Sequence, residues 1–186
     1  MTIELSIGLV EVSSIAIGYE VEDTMLKTAN VELLVARTIC SGKYIIVIGG
    51  DVSAVKSAVE AGAAKADGCL IEQRVIPRVY PGIFPAIAGS VVLEPEEARA
   101  IGVVETFSAS SIIDCADAAA KSADVKVFRV HLAMAVGGKG FLVLTGDVAA
   151  VESAVDAAAR MASEEGILVG TAVIPAPRKE LFQEYI

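Results

Sequence analysis

Ile7-Gly8-Leu9-Val10-Glu11 returns 94 residues later as Ile101-Gly102-Val103-Val104-Glu105. Working outward from that pair, Leu26-Lys27-Thr28-Ala29-Asn30-Val31 returns as Ala120-Lys121-Ser122-Ala123-Asp124-Val125, again 94 residues on. Gly50-Asp51-Val52-Ser53-Ala54-Val55 returns as Gly146-Asp147-Val148-Ala149-Ala150-Val151, offset by 96, and Val75-Ile76-Pro77 as Val173-Ile174-Pro175, offset by 98. Four blocks in the same order make the chain two copies of one unit of roughly 85 residues, with short insertions in the second copy. The 186 residues therefore read as two domains rather than one.

Within the first copy, an apolar run over 5–12 predicts a strand. A helix is expected over 14–29, with Ile15, Tyr19, Val21, Met25 and Leu26 only loosely on one face. Runs rich in β-formers over 32–40 and 44–48 flank Ser41-Gly42-Lys43, a tight polar link suited to antiparallel strands. Asp51 is a natural N-cap for a helix over 52–65, where Val55, Val59 and Ala63 share a face. A strand over 70–77 closes the copy. The second copy repeats the pattern: strands over 100–105, 125–133, 140–144 and 168–174, and helices over 108–123 and 148–163, the latter capped by Asp147. Strand, helix, strand, strand, helix, strand is the split βαβ or ferredoxin-like order, so the fold class is α+β, twice in tandem. The first domain is assigned to 3–78, a connector to 79–99, and the second domain with a C-terminal tail to 100–186. Ile83, Phe84 and Ile87 predict that the connector packs rather than dangles.

Composition narrows the function classes. The apolar fraction is 54% with aromatics at 5% and no Trp, so Ala and Val carry the excess. Small side chains favour thin, closely layered units with further surface to bury between chains, which predicts homo-oligomerisation. A net charge of −9 without clustered Lys or Arg argues against nucleic acid as a partner. The longest uncharged stretch, 79–93, is broken by Pro81, Gly82, Pro85 and Gly89 and falls short of the roughly 20 apolar residues a membrane helix needs, so no membrane role is expected. The N-terminus lacks a signal-peptide layout. Cys40, Cys69 and Cys115 are an odd set without CxxC spacing, as for reduced thiols in a cytosol.

Taken together, Gly8-Leu9-Val10-Glu11, Met25-Leu26-Lys27-Thr28-Ala29-Asn30-Val31, Gly50-Asp51-Val52-Ser53-Ala54-Val55 and Val75-Ile76-Pro77-Arg78 resemble the bacterial microcompartment shell domain. Both copies show the pattern in unpermuted order, most like the tandem-domain shell proteins of propanediol-utilising microcompartments. The resemblance implies a non-enzymatic shell tile in the cytoplasm: a homotrimer imitating a hexamer, perforated on its axis for small metabolites. Its partners would be other shell proteins and the encapsulated enzymes. A ring of three such chains is pseudo-sixfold.

The same resemblance makes the loops between the paired strands pore-lining: Cys40, Ser41, Gly42 and Lys43 in the first copy, and Val136, Gly137, Gly138, Lys139 and Gly140 in the second. Glycines allow close approach to an axis, and backbone N–H groups with symmetry-related lysines would suit anions. By themselves these residues read rather as ordinary Gly-rich hairpins with solvated lysines. Lys27 and Lys121 match the family's tile-edge lysine, although helix-end lysines also simply complement the helix dipole. Tandem proteins of the propanediol type carry an axial iron–sulfur cluster, whose ligand position in the second copy's loop reads here as Gly140. Glycine supplies no thiolate, so no cofactor and no metal are expected; Cys40 of three chains is the alternative. Cys69 and Cys115 read as small buried hydrophobes. His131 is the sole histidine and has no nucleophile pattern beside it. Gly137-Gly138-Lys139-Gly140 lacks the Ser or Thr and the strand-to-helix context of a P-loop. Two rivals remain: a tandem ferredoxin-like ligand-binding regulator, and an iron–sulfur electron conduit within the shell.

Overall fold

A computed structural model describes residues 5–182. The chain forms two compact units, the first running to Pro81 and the second starting at Gly82. Expectations that fall on residues 3, 4 and 183–186 lie outside the described residues.

The first unit comprises β1 (Ser6–Val12), α1 (Ile15–Thr28), β2 (Glu32–Ile39), β3 (Lys43–Gly50), α2 (Val52–Ala66) and β4 (Leu70–Ile76). Its sheet has the order β2-β3-β1-β4 with every neighbouring pair antiparallel. Each helix therefore joins two parallel strands across an intervening one, the expected split crossover. Alternation along the strands decides which side chains meet the helices. Val10, Val12, Tyr44, Ile46 and Ile48 form one buried cluster with Val21 and Met25 of α1 and Val55, Ala58 and Val59 of α2. Ile7, Leu9, Ile45 and Val47, on the alternate positions, are buried as well, so β1 and β3 are covered on both faces.

Glycine makes the close layering possible. A Cβ on Gly8 would lie 2.6 Å from Val59 Cγ2 and 2.7 Å from Val55 Cγ1, so the helix could not rest on the sheet at this distance. Gly102 holds the equivalent place, with Leu144 and Val155 both at 2.7 Å. Of the apolar residues on α1, Val21 and Met25 are buried, whereas Ile15, Tyr19 and Leu26 remain exposed. The weak periodicity of that segment reflects a helix that commits only a narrow stripe to its own core.

The second unit begins with a short helix, α3 (Ile83–Ala88), that the Pro and Gly content of the connector concealed. Ile83 and Ile87 are buried, as expected of a connector that packs, and Phe84 is half-buried. Then come β5 (Ala100–Thr106), α4 (Ser111–Ser122), β6 (Val125–Leu132), β7 (Gly140–Gly146), α5 (Val148–Glu164) and β8 (Leu168–Ile174), in the order β6-β7-β5-β8. Even the irregularities repeat. Register shifts fall between Leu33 and Val35 and between Val127 and Arg129, and again between Glu11 and Val12 and between Glu105 and Thr106. Helix α4 starts three residues later than the 108 expected, because Ser108 accepts the Ser111 N–H and Thr106 Oγ1 donates to the Ser108 carbonyl. Asp51 caps α2 through the Ser53 and Ala54 N–H groups. Asp147 makes no such cap; Arg99 draws its carboxylate away at 2.6 Å. Cys115 is buried as expected, but Cys69 is only half-buried at a turn where its carbonyl accepts the Ser13 N–H.

Candidate functional site: the two hairpin ends

The residues expected to line an opening lie at equivalent ends of the two sheets. In the first unit, β2 and β3 are joined by a single 3₁₀ turn, Cys40–Gly42. Ser41 and Gly42 take φ values of 67° and 70°, and both are exposed, while Cys40 is half-buried. The left-handed serine is a local strain held by the pairing of Ile39 with Lys43. In the second unit the equivalent link spans 133–139, with positive φ at Ala133, Ala135, Gly137 and Gly138. The Ala133 N–H donates to the Lys139 carbonyl at 3.2 Å and closes the loop. His131 braces it: Nε2 donates to the Met134 carbonyl at 2.6 Å, and the ring stacks on Phe141 at 4.8 Å. This is a structural role for the lone histidine. The loop's brace was not legible in the sequence, where only the strand context of His131 could be read.

Gly140 stands where the loop enters the sheet. It opens β7 and is buried, paired with Leu132, and a Cβ there would stand 2.8 Å from Ile112 and 3.0 Å from the Ser108 carbonyl oxygen. With the offset of 96 it corresponds to Tyr44, whose ring rests against Gly18. A side chain at 140 would enter the helix layer, so glycine here serves the packing of α4 against the sheet.

Lys43 and Lys139 also correspond through the offset of 96, and each meets the glutamate that ends the motif of the first strand. Lys43 Nζ donates to Glu11 Oε1 at 2.7 Å, and Lys139 Nζ donates to Glu105 Oε1. These two partnerships are not legible in the sequence, because each joins residues more than thirty positions apart across the sheet. On the helices, Lys27 reaches Asp23 at 2.6 Å in an exposed setting, whereas Lys121 is held at 2.5 Å by the largely buried Asp117. Tyr44 donates its hydroxyl to Glu22 at 2.8 Å; burial, with Glu22 next, pushes its pKa well above the ordinary value.

Thiolates are what an iron–sulfur cluster requires. The first hairpin offers one thiol per chain, Cys40, and among the described residues no group of three or more His, Cys, Asp and Glu could hold a metal ion. No helix among the described residues is long and apolar enough to cross a membrane.

Two α+β units with this strand order, equivalent bulges and a hairpin at the same end of each sheet define a duplicated shell-type module. The BMC domain family matches residues 6–79 and again 100–177, and the chain belongs to that family. It is 41% identical over 181 residues to the bacterial microcompartment shell protein PduT of Citrobacter freundii, covering 97% of both chains. It is 32% identical over 189 residues to the carboxysome assembly protein CcmO of Synechocystis, covering 95% of this chain and 63% of that one. A crystal structure of a microcompartment protein from Desulfitobacterium hafniense superposes with a TM-score of 0.93 at 47% identity, covering 96% of this chain and 98% of its own.

Proposed function

We propose that this chain is a structural tile of a bacterial microcompartment shell, closing as a homotrimer around an axial opening for small metabolites. The observation that carries the reading is that one chain holds two BMC domains in tandem, over residues 6–79 and 100–177. Three such chains bury the same surface three times and give a pseudo-sixfold ring, a shape that can tile a sheet with other shell proteins. In this assembly Cys40, Ser41, Gly42, Val136, Gly137 and Gly138 face the axis, and Lys27 meets a neighbouring tile. The exposure of Lys27 supports that role; Lys121, tied to the buried Asp117, is the weaker edge residue. The tile carries no catalytic step and no cofactor held within a single chain.

Light scattering with negative-stain electron microscopy tests the assembly. The expected result is a mass of three times the 19.2 kDa chain, with pseudo-hexagonal particles that join into sheets. A monomer or dimer that never tiles would reject it. Lys27→Ala should keep the three-chain mass and lose the sheets; unchanged sheets would remove Lys27 from the edge. Brown protein with about one cluster per three chains, bleached by Cys40→Ser, would establish the conduit reading through a shared axis.

A further inference from the structure

The ion pair at the loop end of each unit is built twice in the same way. Glu11 and Glu105 are 94 residues apart, Lys43 and Lys139 are 96 apart, and these are the repeat offsets on either side of the loop insertion. A register shift follows each glutamate, between Glu11 and Val12 against β4 and between Glu105 and Thr106 against β8. Such a bulge turns the strand locally and re-aims the side chains beside it. Glu11 is almost wholly buried, its side chain only 6% exposed, with Lys43 Nζ 2.7 Å from Oε1. The neighbouring charges are themselves engaged. Glu72, the register partner of Glu11 on β4, holds Arg74 at 3.1 Å, and the Arg129 guanidinium lies 5.6 Å over the Phe141 ring.

Convergent free ammonium groups would concentrate anions at an opening. An ammonium already bonded to a carboxylate presents little net charge. To grip an anion, Lys43 would have to abandon Glu11 and leave a buried carboxylate unpaired. The rest of the hairpin ends, Cys40, Ser41, Gly42, Val136, Gly137 and Gly138, carries no charge at all.

We infer that Glu11 and Glu105 are specificity-determining residues that cancel Lys43 and Lys139, so that the opening admits small uncharged polar solutes and holds no anion. The hydroxyl of Ser41 and the backbone groups of the glycine-rich turns supply the hydrogen bonds such solutes need. The solute class rests on the reading that these loops line the axial opening; the cancellation of charge does not.

Isothermal titration with inorganic phosphate separates the two. The wild-type chain, Lys43→Gln/Lys139→Gln and Glu11→Gln/Glu105→Gln are compared, with light scattering on each sample. Wild type and the lysine variant should show no phosphate binding at millimolar concentration. The glutamate variant, which frees both lysines, should show measurable binding, at least about tenfold tighter than the detection limit that bounds the other two. Equal phosphate binding by wild type and the glutamate variant, or none by either, overturns the inference. Should the double glutamate variant fail to fold, Glu105→Gln alone carries the same comparison, because that pair is the more exposed. A wild-type mass other than three chains removes the axial opening, while the phosphate comparison still decides whether the glutamates cancel the lysines.

Discussion

Lys43 and Lys139 occupy equivalent places yet hang on unlike carboxylates. Glu11 is buried and Lys43 one-third exposed, whereas Glu105 and Lys139 are each about one-third exposed. Removing one partner from a buried pair leaves an uncompensated charge, and removing one from a pair in contact with water does not. Lys43→Ala is therefore expected to cost about 3 kcal/mol. Lys139→Ala should cost less than about 1 kcal/mol. Urea unfolding of the two variants checks this; equal losses would mean that the two clasps share one environment. At this scale the sequence was half legible. Residue types at the loops could be named, but pairings such as Glu11 with Lys43 depend on a register between β1 and β3 that no local pattern encodes. The close approach of Gly140 to Ile112 is of the same kind, since it depends on how α4 lies on the sheet.

Helices α2 and α5 show how equivalent elements drift apart. Asp51 caps α2, and its carboxyl is held below its ordinary 3.8, chiefly by the Ala54 N–H and then by the Ser53 hydroxyl. A pKa depressed by folding gives stability that is present above the unfolded value and lost as pH falls through the folded one. The difference in stability between wild type and Asp51→Ala should thus be full at neutral pH and shrink below about pH 4. Thermal unfolding across that range checks it, and a gap that widens on acidification would reject the cap. Asp147→Ala should weaken the chain little, since Asp147 makes no cap and loses only a solvated pair with Arg99. The order of elements and both sheet topologies followed from the repeat and the β-rich runs, because alternation and caps are local signals. The start of α4 did not, since Ser108 is retained by Thr106 and Ser111 before the helix begins. Helix α3 was hidden because Pro85 and Gly82 normally punctuate loops; here Pro85 sits within its first turn, where its missing N–H costs nothing.

For the whole molecule, duplication fixes two copies of one fold and leaves their surroundings free to differ. The second sheet has padding on its non-helical face: Leu93 of the connector and Phe182 of a C-terminal 3₁₀ turn pack with Ile101 and Phe128 in a single buried cluster. Phe182 lies 6.2 Å from Phe128 between ring centroids and is 1% exposed. It stands beyond residue 177, where the family match ends, so it belongs to what this chain adds to the module rather than to the module itself. Because the tail sequence has no periodicity of its own, this docking could not be read before the sheet it covers was known. Deleting a buried aromatic ring removes its transfer energy and leaves a cavity that β-sheet neighbours cannot fill. Phe182→Ala should lower stability by about 3 kcal/mol, measured by denaturant unfolding. The mass in solution should stay that of the wild type, because the lost contacts lie within one unit. If the mass falls while unfolding is unchanged, the tail serves contact between chains and the padding has been assigned to the wrong surface.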